Sequence, residues 1–176
     1  SGLSLPSLMA RAADSPINVP LEQTASIAFK NKAEYANSYN VVATLPGSTQ
    51  ADEQILYTAH WDHIGKDETK AGDQIYNGAM DNASGTAGIL EIARQLADNA
   101  KQGHGLARSV TFIATTGEEQ GLLGSRYYAA NPLYPIDKTV AVLNLDSTNI
   151  YGKTKNFTIV GKGKSELETY LIDAAK

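Results

Sequence analysis

The sequence of 176 residues contains no cysteine. This absence excludes disulfide bonds, thiolate metal ligands and a cysteine nucleophile, so any metal site must be made of histidine and carboxylate groups. The chain also lacks an apolar run of the roughly 20 residues that a membrane-spanning helix needs. We therefore expect no membrane span.

An excess of charge of one sign is also missing. The formal net charge is −4, from 15 basic and 19 acidic residues, whereas a nucleic-acid-binding domain typically carries a clustered basic excess. We therefore expect no nucleic-acid partner. The apolar fraction of 42% and the length are ordinary for one globular domain with a core of its own.

Apolar patterns along the chain predict strands that alternate with helices. An i, i+3, i+4, i+7 pattern predicts an amphipathic helix over 85–100. Continuous apolar strands between helices are typical of an α/β fold with a largely buried, mostly parallel sheet. Strands are predicted at 24–29, 39–45, 54–59, 110–115 and 139–145, and shorter helices at 4–13, 122–130 and from 165, where Ser165 and Glu168 resemble a capping box.

Histidine or carboxylate residues follow three of the predicted strands, and the loop before the long helix adds another. Binding sites of open α/β sheets form beyond the carboxyl ends of the strands, so we expect these groups to meet at one edge. They are His60 and Asp62 after strand 54–59, Asp81 before the helix, Glu118 and Glu119 after strand 110–115, and Asp146 at the end of strand 139–145.

These residue types suit a metal site. Imidazole nitrogen and carboxylate oxygen are good zinc ligands, and a short carboxylate in a tight loop, such as Asp81, suits a bridge between two metals ~3.5–4 Å apart. The carboxylate of Asp62 is close enough in sequence to take the second ring N–H of His60. One of the adjacent residues Glu118 and Glu119 can bind a metal ion while the other accepts and donates a proton.

Each group taken alone also has an ordinary structural explanation. A histidine and an aspartate two residues apart are more often surface polarity, and adjacent glutamates are usually a solvated turn. Asp81, with Asn82 and Ser84 beside it, can be a helix cap. We interpret His63 and His104 as structural or exposed. The complete set is much harder to explain by chance than any single member.

Four segments around these residues resemble the M28 metallopeptidases. They are AHWDHIG at 59–65, YNGAMDNASGTAGILEIAR at 76–94, TFIATTGEEQGLLGSRYYA at 111–129 and NLDSTN at 144–149, and NVVATLPG at 40–47 is similar to the strand before the first ligand. The resemblance implies the zinc-dependent exopeptidase fold, a three-layer αβα arrangement with a mixed, mostly parallel central sheet. It also implies removal of N-terminal amino acids from a peptide substrate, with two zinc ions in the complete enzyme.

The resemblance further implies a role for each residue. Asp62 would orient a ligating imidazole, and Glu118 would be the general base that takes a proton from the zinc-activated water. The peptide bond after Asp81 is often cis in this family. The metal ligands would be His60 and Asp146 for the first zinc, Glu119 for the second, and Asp81 for both.

One ligand of the family is missing. A further histidine, beyond the last aspartate, normally binds the second zinc, but all histidines of this chain precede Asp146. We therefore expect 16–176 to be the N-terminal portion of a longer catalytic domain that lacks its C-terminal part, with one zinc or none and no activity alone. Residues 1–15 resemble the exit of a protease-associated insert of exported bacterial members, which favours a periplasmic or secreted parent protein.

Two other functions stay open. A glutaminyl-cyclase-like enzyme belongs to the same wider fold group and has similar ligands, although the segment EEQGLLGS favours a peptidase. A catalytically dead binding domain on the same fold would explain the missing histidine but not the ligands that remain. The M20 carboxypeptidases match the motifs less well, and the metallo-β-lactamase motif fails at Thr58.

Overall fold

The computed structural model describes residues 4–13, 16, 18, 24–149, 151–155 and 158–175. The chain divides into two units, residues 1–36 and 37–176. The first unit contains the helix α1 (Leu5–Ala12), which begins after Ser4 with a capping box formed by Ser4 and Ser7. This confirms the helix predicted at 4–13, although part of the 1–15 segment lies outside the described residues.

The strand predicted at 24–29 is wrong. The structure describes all of these residues, and none of them lies in a strand. Ile27 and Phe29 are 84% and 83% exposed. A strand needs a hydrogen-bonded partner and a buried face, and within the described part of this unit the weak alternation meets neither.

The second unit is built on a mixed four-stranded sheet. The strands are β1 (Val41–Leu45), β2 (Gln50–His60), β5 (Arg108–Thr115) and β6 (Thr139–Asn144), in the order β1-β5-β2-β6, and a separate short pair is formed by β3 (Gly65–Lys66) and β4 (Ile75–Tyr76). The strand β2 runs parallel to β5 and β6, while β1 is antiparallel to β5. The carboxyl ends of three strands therefore lie at one edge, as expected.

Helices pack on both faces of this sheet, because successive side chains of a strand point to opposite faces. On one face, α2 (Ser84–Lys101) places Ile89 against Ala59 and Val110. On the other, α3 (Leu123–Ala130) places Tyr128 against Leu56 and Ile113. The predicted α/β fold with a mixed, mostly parallel sheet is confirmed.

The remaining helices are short. A kinked segment (Ala79–Ala83), whose backbone is not helical at Asp81 and Asn82, leads into α2, a 3-10 turn (Ile136–Lys138) leads into β6, and α4 (Leu167–Ala174) follows later. The capping box predicted for α4 is wrong, because Glu166 precedes the helix without a capping side-chain bond among the described residues. The Glu168 carboxylate instead accepts the backbone N–H of Gly163 at 2.8 Å. Among the described residues, no helix combines the length and apolarity that crossing a bilayer requires.

The core beneath α3 should be sensitive to lost volume. Ile113 is 1% exposed and packs against Leu56 and Tyr128, so we expect Ile113→Ala to lower the free energy of unfolding by about 2–5 kcal/mol. Ile113→Val should cost about 0.5–1.5 kcal/mol. Urea denaturation of these variants checks the prediction, with Val142→Ala, at a position 54% exposed, as the control. Equal losses at positions 113 and 142 would contradict it.

Candidate functional site

The predicted site residues meet at the carboxyl edge of the main sheet. The parallel register places His60 opposite Thr115 on β5 and Thr58 opposite Asn144 on β6. The loops that follow these strands, and the segment before α2, therefore converge beside His60. They bring together Asp62, Asp81, Glu118 and Asp146 around His60, and Glu119 lies next to Asp62 and Asp81.

The imidazole of His60 lies among carboxylates at distances typical of shared metal ligation. Its Nε2 atom is 3.0 Å from Asp81 Oδ1 and 3.5 Å from Asp146 Oδ1. The residue is 3% exposed, yet Nε2 makes no hydrogen bond with any described residue. Ligands of one tetrahedral zinc, each 2.0–2.1 Å from the metal, stand roughly 3.3 Å apart. The three side chains therefore form a group that fits a divalent cation.

Asp62 contacts this group in a way that the sequence did not reveal. We expected its carboxylate to take the second ring N–H of His60, but Nδ1 lies 3.0 Å from the backbone carbonyl of Asp62 and 3.8 Å from its carboxylate. A carbonyl can only accept, so Nδ1 carries the proton and Nε2 of the neutral ring keeps its lone pair. The carboxylate instead accepts the backbone N–H groups of Glu118 at 3.1 Å and Glu119 at 3.4 Å.

Asp81 lies in the kinked segment before α2, where its backbone is not helical, and its side chain is 46% exposed. The peptide bond from Asp81 to Asn82 is cis, as the family resemblance implied. Asp81 is not the cap of α2, so that alternative is wrong. The buried Asn82 side chain performs this function by accepting the backbone N–H of Gly85 at 2.9 Å. The Asp81 carboxylate is thereby left to face His60.

Asn82 connects the loops that carry two predicted ligands. Besides Gly85, its amide oxygen accepts the backbone N–H of Ser147 at 3.2 Å, and its amide nitrogen donates to the carbonyl of Leu145 at 2.9 Å. The side chain is 1% exposed. It therefore holds the Asp81 segment against the loop that contains Asp146.

We expect Asn82→Ala to destabilise the chain and to weaken metal binding. The substitution leaves buried polar groups without partners, each at a cost of about 1–3 kcal/mol, and it frees the Asp81 and Asp146 segments from each other. Urea denaturation and zinc titration check both effects. Asn99→Ala, within α2 and away from this site, is the matched control. Wild-type zinc affinity in a folded Asn82→Ala variant would show that the connection is dispensable.

His63, interpreted above as structural or exposed, lies inside the site. Its Nδ1 atom is 2.7 Å from Glu119 Oε1. With Asp81 these residues form a second group whose potential ligand atoms all lie within 4.8 Å of one another. Asp81 belongs to both groups. The only signal in the sequence was the position of His63, three residues after His60. His104 is exposed in the loop after α2, as expected.

Glu118 lies beside both groups without belonging to either. It lines a cavity of about 230 Å³ together with His60 and Asp146. Burial raises the pKa of Glu118 above its ordinary value; the nearby His60 acts against this, and three neighbouring carboxylates reinforce it. A carboxyl with a raised pKa next to open space is suited to accept a proton and to release it again.

The pKa of His60 depends on the same group of neighbouring carboxylates. Burial lowers the pKa of its imidazole, but the hydrogen bond to the Asp62 carbonyl and the surrounding carboxylates outweigh burial and raise the pKa above its ordinary value. An accumulation of negative charge around a buried imidazole favours a cation, whether a proton or a metal ion. With imidazole and carboxylate donors converging, the residues present fit zinc.

Comparison with known proteins agrees with this chemistry. The family described as peptidase family M28 matches residues 40–176. The chain is 29% identical to aminopeptidase NAALADL1 of Rattus norvegicus over 90% of the chain and 20% of that protein. It is 35% identical to a probable zinc metalloprotease of Leptosphaeria maculans over 68% of the chain and 27% of that protein.

A third relative is a probable leucine aminopeptidase of Trichophyton verrucosum. The chain is 34% identical to it over 71% of the chain and 31% of that protein. The chain therefore spans between about a fifth and a third of the length of these three curated relatives.

Proposed function

The chain belongs to peptidase family M28, and from this premise we propose that it supplies the N-terminal portion of the catalytic domain, residues 16–176, of a metal-dependent aminopeptidase. The observation that carries the proposal is the sharing of Asp81 by two groups of histidine and carboxylate side chains. A carboxylate shared in this way is what a two-metal hydrolytic site requires. The names of the relatives, aminopeptidase and zinc metalloprotease, support this reaction class.

The proposed site contains four metal ligands and one general base. We propose that His60 and Asp146 hold one zinc ion, Glu119 the other, and Asp81 both. When bound, zinc polarises the scissile carbonyl and lowers the pKa of water towards ~7. The Asp62 carbonyl fixes the tautomer of His60, and its carboxylate fixes the turn that presents Glu118 and Glu119.

Glu118 is proposed as the general base. Its side chain lines the cavity next to His60 and Asp146, where a scissile peptide bond would lie close to both groups. It would accept the proton of the attacking water and return it to the leaving amine. The raised pKa of Glu118 supports this, because a base whose pKa lies nearer neutrality both accepts and donates a proton readily.

The test is hydrolysis of short peptides with a free or an acetylated N-terminus, by this chain and by a form extended to the length of its relatives. We expect the extended form to release free N-terminal amino acids only from the unblocked peptides. Dialysis against a chelator should abolish release, and added zinc should restore it. Cleavage of acetylated peptides, or activity that survives the chelator, would contradict an aminopeptidase.

The same assay separates the alternatives. A peptide that begins with glutamine yields free glutamine from an aminopeptidase, but ammonia and a pyroglutamyl peptide from a glutaminyl-cyclase-like enzyme. Zinc binding without turnover of any peptide would indicate a binding domain. Export of the parent protein, suggested by 1–15, stays a separate proposal, and cell fractionation with an antibody against this chain tests it.

A further inference from the structure

We propose that Asn144 binds the substrate by donating its side-chain amide to a carbonyl oxygen of the peptide beyond the scissile bond. The inference deepens the proposed function and rests on it, because it concerns a peptide bound beside the same metal ligands and the same general base. It assigns a role to a residue that was not among the predicted site residues. This role is recognition of the substrate rather than a part in the chemical step.

Asn144 lies next to the proposed metal ligands on the sheet. It is the last residue of β6, and the register places it opposite Thr58 on β2. Side chains two positions apart in a strand point to the same face, so Thr58 shares a face with His60. The distance of 3.5 Å between His60 Nε2 and Asp146 Oδ1 shows that the next pair along the two strands also meets. Asn144 is thus one step along the sheet from two proposed ligands of the first zinc.

The hydroxyl of Thr58 fixes which way the Asn144 amide faces. Thr58 Oγ1 lies 2.7 Å from Asn144 Oδ1, and because an amide oxygen only accepts, the hydroxyl donates. The amide oxygen is therefore turned toward β2, while the amide nitrogen makes no hydrogen bond with any described residue. Asn144 is exposed, so both of its N–H groups are available. An amide whose oxygen is already engaged in this way offers a bound molecule only donors.

The available amide belongs to the same cavity as the proposed general base. The cavity of about 230 Å³ is lined by Asn144, Thr58, Glu118 and Ser125, among others. The Ser125 hydroxyl already donates to the backbone carbonyl of Leu122 at 3.1 Å, as the Thr58 hydroxyl does to the Asn144 amide oxygen. The amide of Asn144 therefore supplies the cavity with N–H groups that the described residues do not use. These groups require an acceptor from a bound molecule.

The chemistry of a peptide substrate identifies this acceptor. The first residue of a peptide with a free N-terminus has a single carbonyl, the scissile one, which the proposed metal site addresses. Every further carbonyl lies in the leaving part of the substrate. Glu118 is proposed to return a proton to the leaving amine, so the leaving part lies on its side of the site, in the cavity that it shares with Asn144. A carbonyl oxygen of the leaving peptide is therefore the acceptor that the amide meets.

Two substrates that differ only beyond the scissile bond test the inference. One is a tripeptide that the extended form hydrolyses, and the other is the p-nitroanilide of its N-terminal amino acid, which has no carbonyl in the leaving part. We expect Asn144→Leu to lower kcat/KM for the tripeptide about 3- to 10-fold, as loss of one hydrogen bond between uncharged groups does, mainly through a higher KM. The kcat/KM for the p-nitroanilide should stay unchanged. Equal losses on both substrates, or no loss on the tripeptide, would overturn the inference.

Three further variants and a metal analysis make the test specific to the amide. Asn144→Asp retains the size and the hydrogen bond from Thr58 but has no N–H, so it should show the same selective loss. Thr58→Val frees the amide to rotate, and we expect a smaller loss on the tripeptide alone. Asn99→Leu, at an exposed position of α2, is the matched control and should behave as the wild type does. Loss of zinc from Asn144→Leu would show that Asn144 supports Asp146 instead, and would also overturn the inference.

The outcomes separate this inference from the proposed function. If the extended form hydrolyses both substrates and the Asn144 variants lose activity equally on both, the role of Asn144 is refuted and the aminopeptidase proposal stays intact. If the extended form hydrolyses no unblocked peptide, the proposed function is refuted and the inference falls with it. A loss confined to the tripeptide would support both.

Discussion

Replacement of Glu118 by glutamine in the extended form should lower the rate of peptide hydrolysis by about 10²–10⁴-fold while the zinc content stays at the wild-type level. Glutamine has nearly the same shape as glutamate but cannot accept a proton from water. Glu118 lies outside both groups of potential ligands, so its loss should not release metal. Steady-state kinetics on an unblocked peptide and metal analysis of the same sample measure the two quantities together.

The neighbouring glutamate provides the matched control for this experiment. Glu119→Gln changes the same functional group one residue further along the same turn, but Glu119 belongs to the group with His63 and Asp81. We expect that variant to lose zinc as well as activity. If Glu118→Gln released zinc and Glu119→Gln retained it, the assignments of base and ligand would have to be exchanged.

Replacement of Asp81 by alanine in the extended form should remove metal from both proposed positions. Asp81 is the only residue common to the two groups among the described residues, and its Oδ1 atom lies 3.0 Å from His60 Nε2. Loss of a shared ligand weakens both metal positions at once. We therefore expect zinc affinity to fall by more than the 10- to 100-fold that is typical when a residue hydrogen-bonded to a metal ligand is replaced. Zinc titration followed by exhaustive dialysis measures the effect.

Two further variants test whether Asp81 contributes to both metal positions. His60→Ala should release only one equivalent, because His60 belongs to one group. Asp52→Asn should leave zinc binding unchanged, since Asp52 lies at the opposite end of β2 and pairs with Lys138. Retention of one zinc equivalent by Asp81→Ala would show that the two positions are independent and that Asp81 serves only one of them.

The strands show why most of the fold could be predicted. The segments around 54–59 and 110–115 are short apolar runs bounded by polar residues, and the structure buries β5 almost throughout. Burial of a continuous apolar run is favourable in almost any α/β arrangement, so local pattern and tertiary packing agree. At 24–29 the pattern was weaker, and exposure of Ile27 and Phe29 shows that alternation without a partner strand does not make a sheet.

The N-termini of the helices show a second limit of prediction from local sequence. Asp81 and the pair Ser165 and Glu168 both had sequences suited to capping, yet neither caps a helix. The buried Asn82 caps α2 because its amide can bond Gly85, Leu145 and Ser147 together, whereas an aspartate offers no donor for the carbonyl of Leu145. Competition between side chains for backbone partners depends on which loops meet, and a local motif does not contain that information.

The sequence alone determined which residue types could act and at which edge they would gather. Strand ends must carry His60, Glu118 and Asp146 to the same side of a parallel sheet, because parallel strands share a direction. Their individual roles stay predictions until the variants above are measured. The absence of cysteine from the sequence restricted any metal site to imidazole and carboxylate donors.

Only the tertiary structure decided how these groups face one another. The 2.7 Å approach of His63 to Glu119 joins residues that are 56 positions apart in the chain, and the contact of Asp62 with the glutamate turn spans a similar separation. Such distances depend on loop paths and side-chain rotamers, which are set by packing against other segments rather than by the residues themselves. The residue types of the site can therefore be read from the sequence, whereas the grouping of His63 with Asp81 and Glu119 exists only in the folded chain.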